Sequence, residues 1–182
     1  KKTDRLFCMS FFNTLFKLER HVGLWLFIFL LTTGSMAVAL YYQYALAWEP
    51  CVLCIHVRVI MLGLMAVSLL MVFLAKFNIV RLIGFLTQVA LAVLLFVKCR
   101  ELYRIEKGLE EAGCMFSAGL PSWFDLEAWW PSVFEVRSAC GESPELLFNI
   151  TMVEGLYIGS FIAMIAAILL SLLSILNIFK NK

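Results

Sequence analysis

Charged residues are scarce in this sequence of 182 residues: 15% are Asp, Glu, Lys or Arg, whereas 63% are hydrophobic. A soluble globular chain has about a quarter charged and about half apolar residues, so a water-soluble globule is excluded. Intrinsic disorder is excluded too, because 14% of the residues are aromatic. The formal net charge of +2 and the absence of a long basic run argue against nucleic acid as a partner. The composition is that of a membrane protein.

Four apolar runs are each long enough to cross a hydrocarbon core of about 30 Å. We predict spans at residues 22–42, 55–75, 80–98 and 155–177. The second span contains Arg58, and Arg81 and Lys98 flank the third, where we expect their side chains to extend outward to the headgroups. The predicted fold is therefore an all-α membrane protein. It is a four-transmembrane-helix bundle forming a single integral-membrane domain over residues 1–182.

The distribution of basic residues predicts the orientation of this bundle. Lys and Arg are frequent before the first span, whereas the loop at residues 43–54 has none. Residues 98–154 hold five bases but ten acids, and this long stretch has little weight in the positive-inside rule. We therefore expect both termini inside and the loops 43–54 and 99–154 outside. The alternative is a cleaved signal peptide ending near residues 37–39, but the apolar run continues beyond that site.

Four of the six cysteines fall in the predicted outer loops, namely Cys51, Cys54, Cys114 and Cys140. Cys8 lies inside, and Cys99 lies at the outer end of the third span. Four cysteines in an oxidising compartment indicate two disulfides, with three pairings open. Two structural bridges in a nonenzymatic scaffold and a four-thiolate zinc site are the alternatives.

The C-x-x-C pair, Cys51 and Cys54, favours redox chemistry, because a disulfide there closes a very small ring. Pro50 precedes the pair, at the point where we expect the chain to enter a helix as proline does at a first helical position. Arg58 is four residues after Cys54 and lies on the same helical face. The helix dipole and this cation both favour a thiolate at Cys54. The alternative is an Arg58 that simply extends to the headgroups.

A dithiol at headgroup level can meet soluble thiols above it and lipid-soluble carriers beside it. Among lipid-soluble oxidants, a quinone matches the two-electron change between dithiol and disulfide. Arg58 would stabilise negative charge that develops on a quinone oxygen. Residues 123–134, between Cys114 and Cys140, alternate aromatic and acidic side chains. They predict a short amphipathic helix in the membrane interface.

These residues resemble the DsbB family, bacterial inner-membrane proteins that reoxidise the periplasmic thiol oxidase DsbA and pass the electrons to quinone. The resemblance rests on P-C-V-L-C-I-x-x-R at residues 50–58, and on W-x-x-L-x-x-W-x-P-x-V-F at residues 123–134 between two cysteines. It covers nearly the whole chain.

The resemblance implies that Cys114 receives the attack of a DsbA-like thiolate, that Cys140 pairs transiently with Cys51, and that Cys54 faces the quinone beside Arg58. It implies ubiquinone or menaquinone as cofactor, a location in the inner membrane with cytoplasmic termini, and periplasmic loops at residues 43–54 and 99–154. A paralogue serving a dedicated partner would carry the same motifs.

Two departures from the family pattern concern proton supply to the quinone. Val57 stands where close relatives have glutamate, and no histidine follows the third span. Glu101 and Glu154 are the candidates for this role by position alone.

Overall fold

The computed structural model describes residues 22–110, 119, 125–141, 143–145 and 150–180. The described residues form four long and two short helices, and no β-strand: α1 (Val22–Ala45), α2 (Val52–Leu74), α3 (Asn78–Glu106), α4 (Leu126–Trp129), α5 (Pro131–Phe134) and α6 (Met152–Lys180). The long helices α1, α2, α3 and α6 are each apolar and long enough to cross a membrane. The predicted four-helix membrane fold is confirmed, and α4 and α5 lie in the long loop where a short amphipathic helix was predicted.

Helix α2 begins three residues before the predicted span because Cys51 is its N-cap. The Cys51 backbone is extended, with φ −89° and ψ 171°, and its Sγ accepts the N–H of Cys54 at 3.4 Å. Pro50 therefore precedes the cap, which corrects the expectation that it occupies a first helical position. Helix α3 continues to Glu106, beyond predicted residue 98, because the following residues are mostly good helix formers despite their charge.

The long helices pack in sequence: α1 against α2, α2 against α3, and α3 most extensively against α6. The seam between α3 and α6 carries an aromatic ladder, in which Phe96 and Tyr103 both stack on Tyr157 with ring centroids 5.6 and 5.0 Å away. Among the described residues, α1 and α6 barely touch. The bundle is therefore open along one side.

A hydrogen bond between buried side chains joins two of the long helices. Gln88 on α3 donates from Nε2 to Ser68 Oγ on α2 at 2.7 Å, and Ser68 donates to the Leu64 carbonyl at 2.7 Å. Arg81 is only 3% exposed, so the prediction that its side chain extends outward is wrong. The outer surface is apolar instead, with Phe73 71% exposed, as expected for a face in contact with lipid.

Candidate redox site

Cys51 and Cys54 lie together at the start of α2. Their Sγ atoms are 3.0 Å apart, and both are free thiols in this structure. Cys51 is the N-cap and is 4% exposed, whereas Cys54 lies one turn into the helix and is half-buried. The unpaired N–H groups of this first turn stabilise negative charge on a sulfur. The C-x-x-C motif therefore occupies the position in which one of its thiols is readily ionised.

Cys140 reaches this helix start through backbone pairing between the two loops. The N–H groups of Arg137 and Ser138 donate to the Pro50 carbonyl at 3.1 and 3.3 Å, and Ser138 Oγ donates to the Glu49 carbonyl at 2.8 Å. Cys140 packs in the same buried cluster as Cys51. The structure therefore brings together two cysteines that are 89 positions apart in the sequence.

The sulfurs of Cys51 and Cys140 differ in proton affinity. The pKa of Cys51 is raised, first by its hydrogen bonds to Cys140 and Cys54 and then by burial. The pKa of Cys140 is lowered to about 6, mainly because Cys51 donates a hydrogen bond to it, with the backbone N–H groups of Leu53 and Val52 adding to the effect against the opposing effect of burial. Cys140 is therefore a thiolate at neutral pH, held against a protonated Cys51.

Arg58 lies one turn below Cys54 and is 6% exposed. Its Nη1 donates to the Gln43 Oε1 of α1 at 2.6 Å and to the Val133 carbonyl of α5 at 2.5 Å. The side chain therefore does not simply extend to the headgroups. It joins α2 to α1 and to the amphipathic segment of the loop.

The short helices α4 and α5 sit across the end of α2. Leu126 and Phe134 are buried with Ile55 in one apolar cluster, whereas Trp129 and Trp130 are 63% and 65% exposed. One face of this segment packs on the bundle, and the exposed indoles suit the membrane interface, where tryptophan is preferred. The geometry is that of an interfacial anchor attached to the redox site.

A cleft beside the cysteines is bordered by both Cys54 and Arg58. It contains about 750 Å³ of empty space, including its open mouth, and most of its wall is apolar. Glu49 lies on its wall, whereas neither Glu101 nor Glu154 does. Those two acids form ion pairs at the end of α3, with Lys98 at 2.9 Å and with Lys107 at 2.7 Å respectively.

The cleft continues into a groove between α1 and α6. Ser35, Met61, Met152 and Leu156 border both spaces. The groove contains about 980 Å³ of empty space, counted with its open mouth as for the cleft, and it reaches Leu64 and Leu95, further along the bundle axis. It occupies the side on which α1 and α6 barely touch, so it opens toward the surrounding lipid.

Of the predicted site residues, the structure brings together Cys51, Cys54, Arg58 and Cys140. Cys114 lies outside the described residues. Cys99 is fully buried in an apolar cluster and does not border the cleft.

Sequence reasoning did not identify Gln43 as part of this site. Gln43 is the only amide side chain between residues 22 and 48. A lone amide in an otherwise apolar run was the one available signal, since such a group needs a buried hydrogen-bonding partner.

The comparisons with known proteins give the family. The family described as Disulfide bond formation protein DsbB matches residues 20–170. Disulfide bond formation protein B of Shewanella denitrificans is 33% identical over 135 residues, which cover 71% of this chain and 75% of that protein. The protein of the same name from Haemophilus influenzae is 31% identical over 164 residues, covering 85% of this chain and 88% of that protein. This membrane protein therefore belongs to the DsbB family of disulfide-generating oxidoreductases.

Proposed function

We propose that this protein reoxidises a DsbA-like periplasmic thiol oxidase and transfers the electrons through Cys114 and Cys140, then Cys51 and Cys54, to a membrane quinone. One observation carries the proposal: Cys54 and Arg58 border one cleft, while Cys140 is held against Cys51. A scaffold with two structural disulfides does not require a cleft beside a reactive dithiol. Each of these contacts has a role in the proposed sequence of reactions.

The first step is thiol–disulfide exchange in the loop. A thiolate of the partner attacks Cys114, whose role rests on the family resemblance, and breaks the Cys114–Cys140 disulfide. Cys140 leaves as a thiolate, whose negative charge the backbone N–H groups of Leu53 and Val52 stabilise. It then attacks the sulfur of Cys51, breaking the Cys51–Cys54 disulfide, and Cys54 is released as a thiolate beside Arg58.

Two further exchanges release the oxidised partner and restore the Cys114–Cys140 disulfide. The partner's second thiolate attacks the mixed disulfide at its own sulfur and releases Cys114. The Cys114 thiolate then attacks Cys140 and breaks its disulfide with Cys51. The Cys114–Cys140 disulfide forms again, and Cys51 and Cys54 remain as the reduced pair. In total the partner loses two electrons and two protons and gains one disulfide, and the C-x-x-C pair carries the two electrons onward.

The cleft suits a quinone, because apolar walls surround one buried cation and one sulfur. When bound, a quinone would supply the oxidant for the two electrons and the acceptor for the two protons released as Cys51 and Cys54 close to a disulfide. Cys54 supplies the electron pair from the helix start. Arg58, a permanent cation, holds negative charge on the ring oxygen that faces it. Among the described carboxylates, Glu49 borders the cleft.

The groove between α1 and α6 suits the isoprenoid tail of ubiquinone or menaquinone. It continues from the cleft, it is lined mainly by apolar and small side chains, and it opens to the lipid. A lipid-soluble ligand can therefore enter sideways and keep its tail out of water. These features support a quinone over a water-soluble oxidant.

We further propose that the protein lies in the bacterial inner membrane as a multi-pass protein with both termini cytoplasmic. Four spans put both termini on one side, and the basic residues of the N-terminal segment favour the cytoplasm. Residues 43–54 and 99–154 are then periplasmic, where a DsbA-like partner can reach them.

Turnover in detergent tests this function. The chain is mixed with reduced DsbA-type oxidase and a soluble quinone without oxygen, and quinone absorbance is followed. Replacing Cys54 or Cys114 by Ser should lower kcat by more than about 100-fold, because each removes an obligatory sulfur. Arg58→Met should raise the quinone KM about tenfold through loss of a buried cation.

Cys99→Ala is the matched control, since this buried cysteine lies off the cleft, and it should keep its turnover. A folded parent chain that does not turn over quinone with this partner would contradict the proposal. Unchanged turnover in Cys54→Ser would contradict the electron path.

A further inference from the structure

Both the oxygen and the nitrogen of the Gln43 side-chain amide form hydrogen bonds. Its Oε1 accepts from Arg58 Nη1 at 2.6 Å, and its Nε2 donates to the Ser132 carbonyl of α5 at 2.9 Å. A guanidinium can only donate and a carbonyl can only accept, so the amide has one orientation that satisfies both. Among the uncharged side chains, only an amide of this length supplies an acceptor and a donor in this geometry.

Arg58 needs such a partner because it is a buried permanent cation. In the described part of the chain, its hydrogen-bond acceptors are the neutral oxygens of Gln43 and Val133, and no carboxylate lies within ion-pair distance. Neutral acceptors orient the guanidinium without cancelling its charge. The positive charge therefore stays available to the cleft that Arg58 borders.

The same contacts hold the loop that carries Cys140. The carbonyls of Ser132 and Val133 lie at the end of α5, where a helix presents unpaired acceptors. Cys140 follows Val133 by seven residues, and the intervening backbone is paired with Pro50. The position of α5 and that of the Cys140 sulfur are therefore linked mechanically.

We propose that Gln43, Arg58 and the end of α5 form a latch that couples the quinone cleft to the loop carrying Cys140, with Gln43 as the positioning residue for Arg58. This inference rests on the proposed function. Negative charge on the cleft side of Arg58 competes with the Val133 carbonyl for the guanidinium. Release of the Cys54 thiolate places this negative charge beside Arg58 and thereby loosens α5. The loop is then free to move, and Cys140 can form its disulfide with Cys114 again.

The test compares Gln43→Met and Gln43→Glu with Tyr44→Phe in the full-length chain. Tyr44 Oη also donates to the Ser132 carbonyl, at 2.7 Å, so its loss removes a loop contact but leaves the Gln43–Arg58 hydrogen bond in place. Gln43→Met should raise the quinone KM about tenfold with kcat changed less than about twofold. Gln43→Glu should raise KM further, because its carboxylate neutralises Arg58.

Two further readouts separate positioning from a structural effect. Hydrogen exchange over residues 132–140 should accelerate in Gln43→Met and in Tyr44→Phe, but only the Gln43 variants should change the quinone KM. In chains with Cys54 as the sole cysteine, the pH midpoint of Cys54 alkylation should rise in Gln43→Met and stay in place in Tyr44→Phe. If Gln43→Met does not fold, Gln43→Asn is used in its place. Its side chain has the same amide on a chain that is one methylene shorter.

The parent chain distinguishes the two ways to fail. If the parent does not turn over quinone, the proposed function fails. If the parent turns over but Gln43→Met keeps its KM within about twofold, or Tyr44→Phe raises KM equally, the latch is overturned while the function stands.

Discussion

Cys51 is the sulfur shared by two possible disulfides. It contacts Cys54 on its own helix at 3.0 Å and forms a hydrogen bond with Cys140 from the other loop. Because a protonated thiol between two sulfurs can donate only one hydrogen at a time, it favours negative charge on its neighbours. In the proposed sequence of reactions, the oxidised Cys51 is the sulfur that is attacked, and Cys140 is the attacking one.

The ionisation of Cys140 gives the first prediction at this scale. In the fully reduced protein, the alkylation rate of Cys140 should rise to half its maximum near pH 6, as its lowered pKa requires. Cys51→Ala should move this midpoint upward, toward the ordinary thiol value of about 8.5, because the largest stabilising hydrogen bond is lost. Iodoacetamide labelling with peptide mass spectrometry measures both.

Cys51→Ser is the matched control, since its hydroxyl can still donate to Cys140, and its midpoint should fall between the other two. A midpoint at pH 8 or above in the unaltered chain would show that Cys140 is not held as a thiolate.

At the scale of elements, hydrogen bonds at the start of α6 hold the C-terminal end of the long loop in place. Thr151 and Glu154 form a capping box, in which each backbone N–H donates to the other side chain at 3.2 Å. Glu106 at the end of α3 accepts hydrogen bonds from Ser143 and Thr151. The segment after Cys140 is therefore tied to both α3 and α6, while the segment before it is tied to α1 and α2.

Removal of this cap should lower stability without affecting the reactive sulfurs. Thr151→Ala should destabilise the folded protein by about 1 kcal/mol, because two orphan N–H groups lose their partner or their positioned acceptor. The shift in thermal unfolding midpoint in detergent measures it.

Thr87→Ala is the control, since Thr87 donates to the Ile83 carbonyl within α3 and caps no helix end. An equal loss of stability in the two variants would show that the capping box contributes nothing.

At the scale of the whole molecule, the order of helix packing creates the groove between α1 and α6. Helix α3 packs on both α2 and α6, and α1 packs on α2, whereas the described residues of α1 and α6 barely touch. Gly159 of α6 borders the groove there, and a Cβ at this position would meet nothing within 4 Å. The groove is thus a consequence of which helices pack together.

Filling this groove should weaken binding of quinones that have a tail. Gly159→Leu should raise the KM for an isoprenoid quinone about tenfold and leave the KM for a tailless quinone within about twofold. Turnover kinetics with the two quinones measure the difference.

Gly34→Leu on α1 is the matched control, because Gly34 also has open space around it but does not border the groove. An increase in KM that is equal for both quinones, or equal in both variants, would contradict a tail in the groove.

The amino-acid sequence by itself determined the membrane class, the four long helices and the pairing of a C-x-x-C motif with Arg58. These features depend on the hydropathy of continuous runs and on residues four positions apart in one helix, which are local properties. The amphipathic segment was predictable for the same reason. Even the redox interpretation of Cys51 and Cys54 needed only their spacing and their place at a helix start.

Only the tertiary structure decided that Cys140 lies against Cys51, that Gln43 orients Arg58, and that the bundle is open between α1 and α6. Each depends on groups from distant parts of the chain, where hydrogen bonds and packing select one arrangement among several that the pattern permits. The hydropathy pattern also gave the wrong prediction for the Arg81 side chain, which is buried. Hydropathy reflects the cost of placing a charge in lipid, not the polar partners available inside a bundle. The reaction site is therefore a property of the packed helices, built on motifs that the sequence already contains.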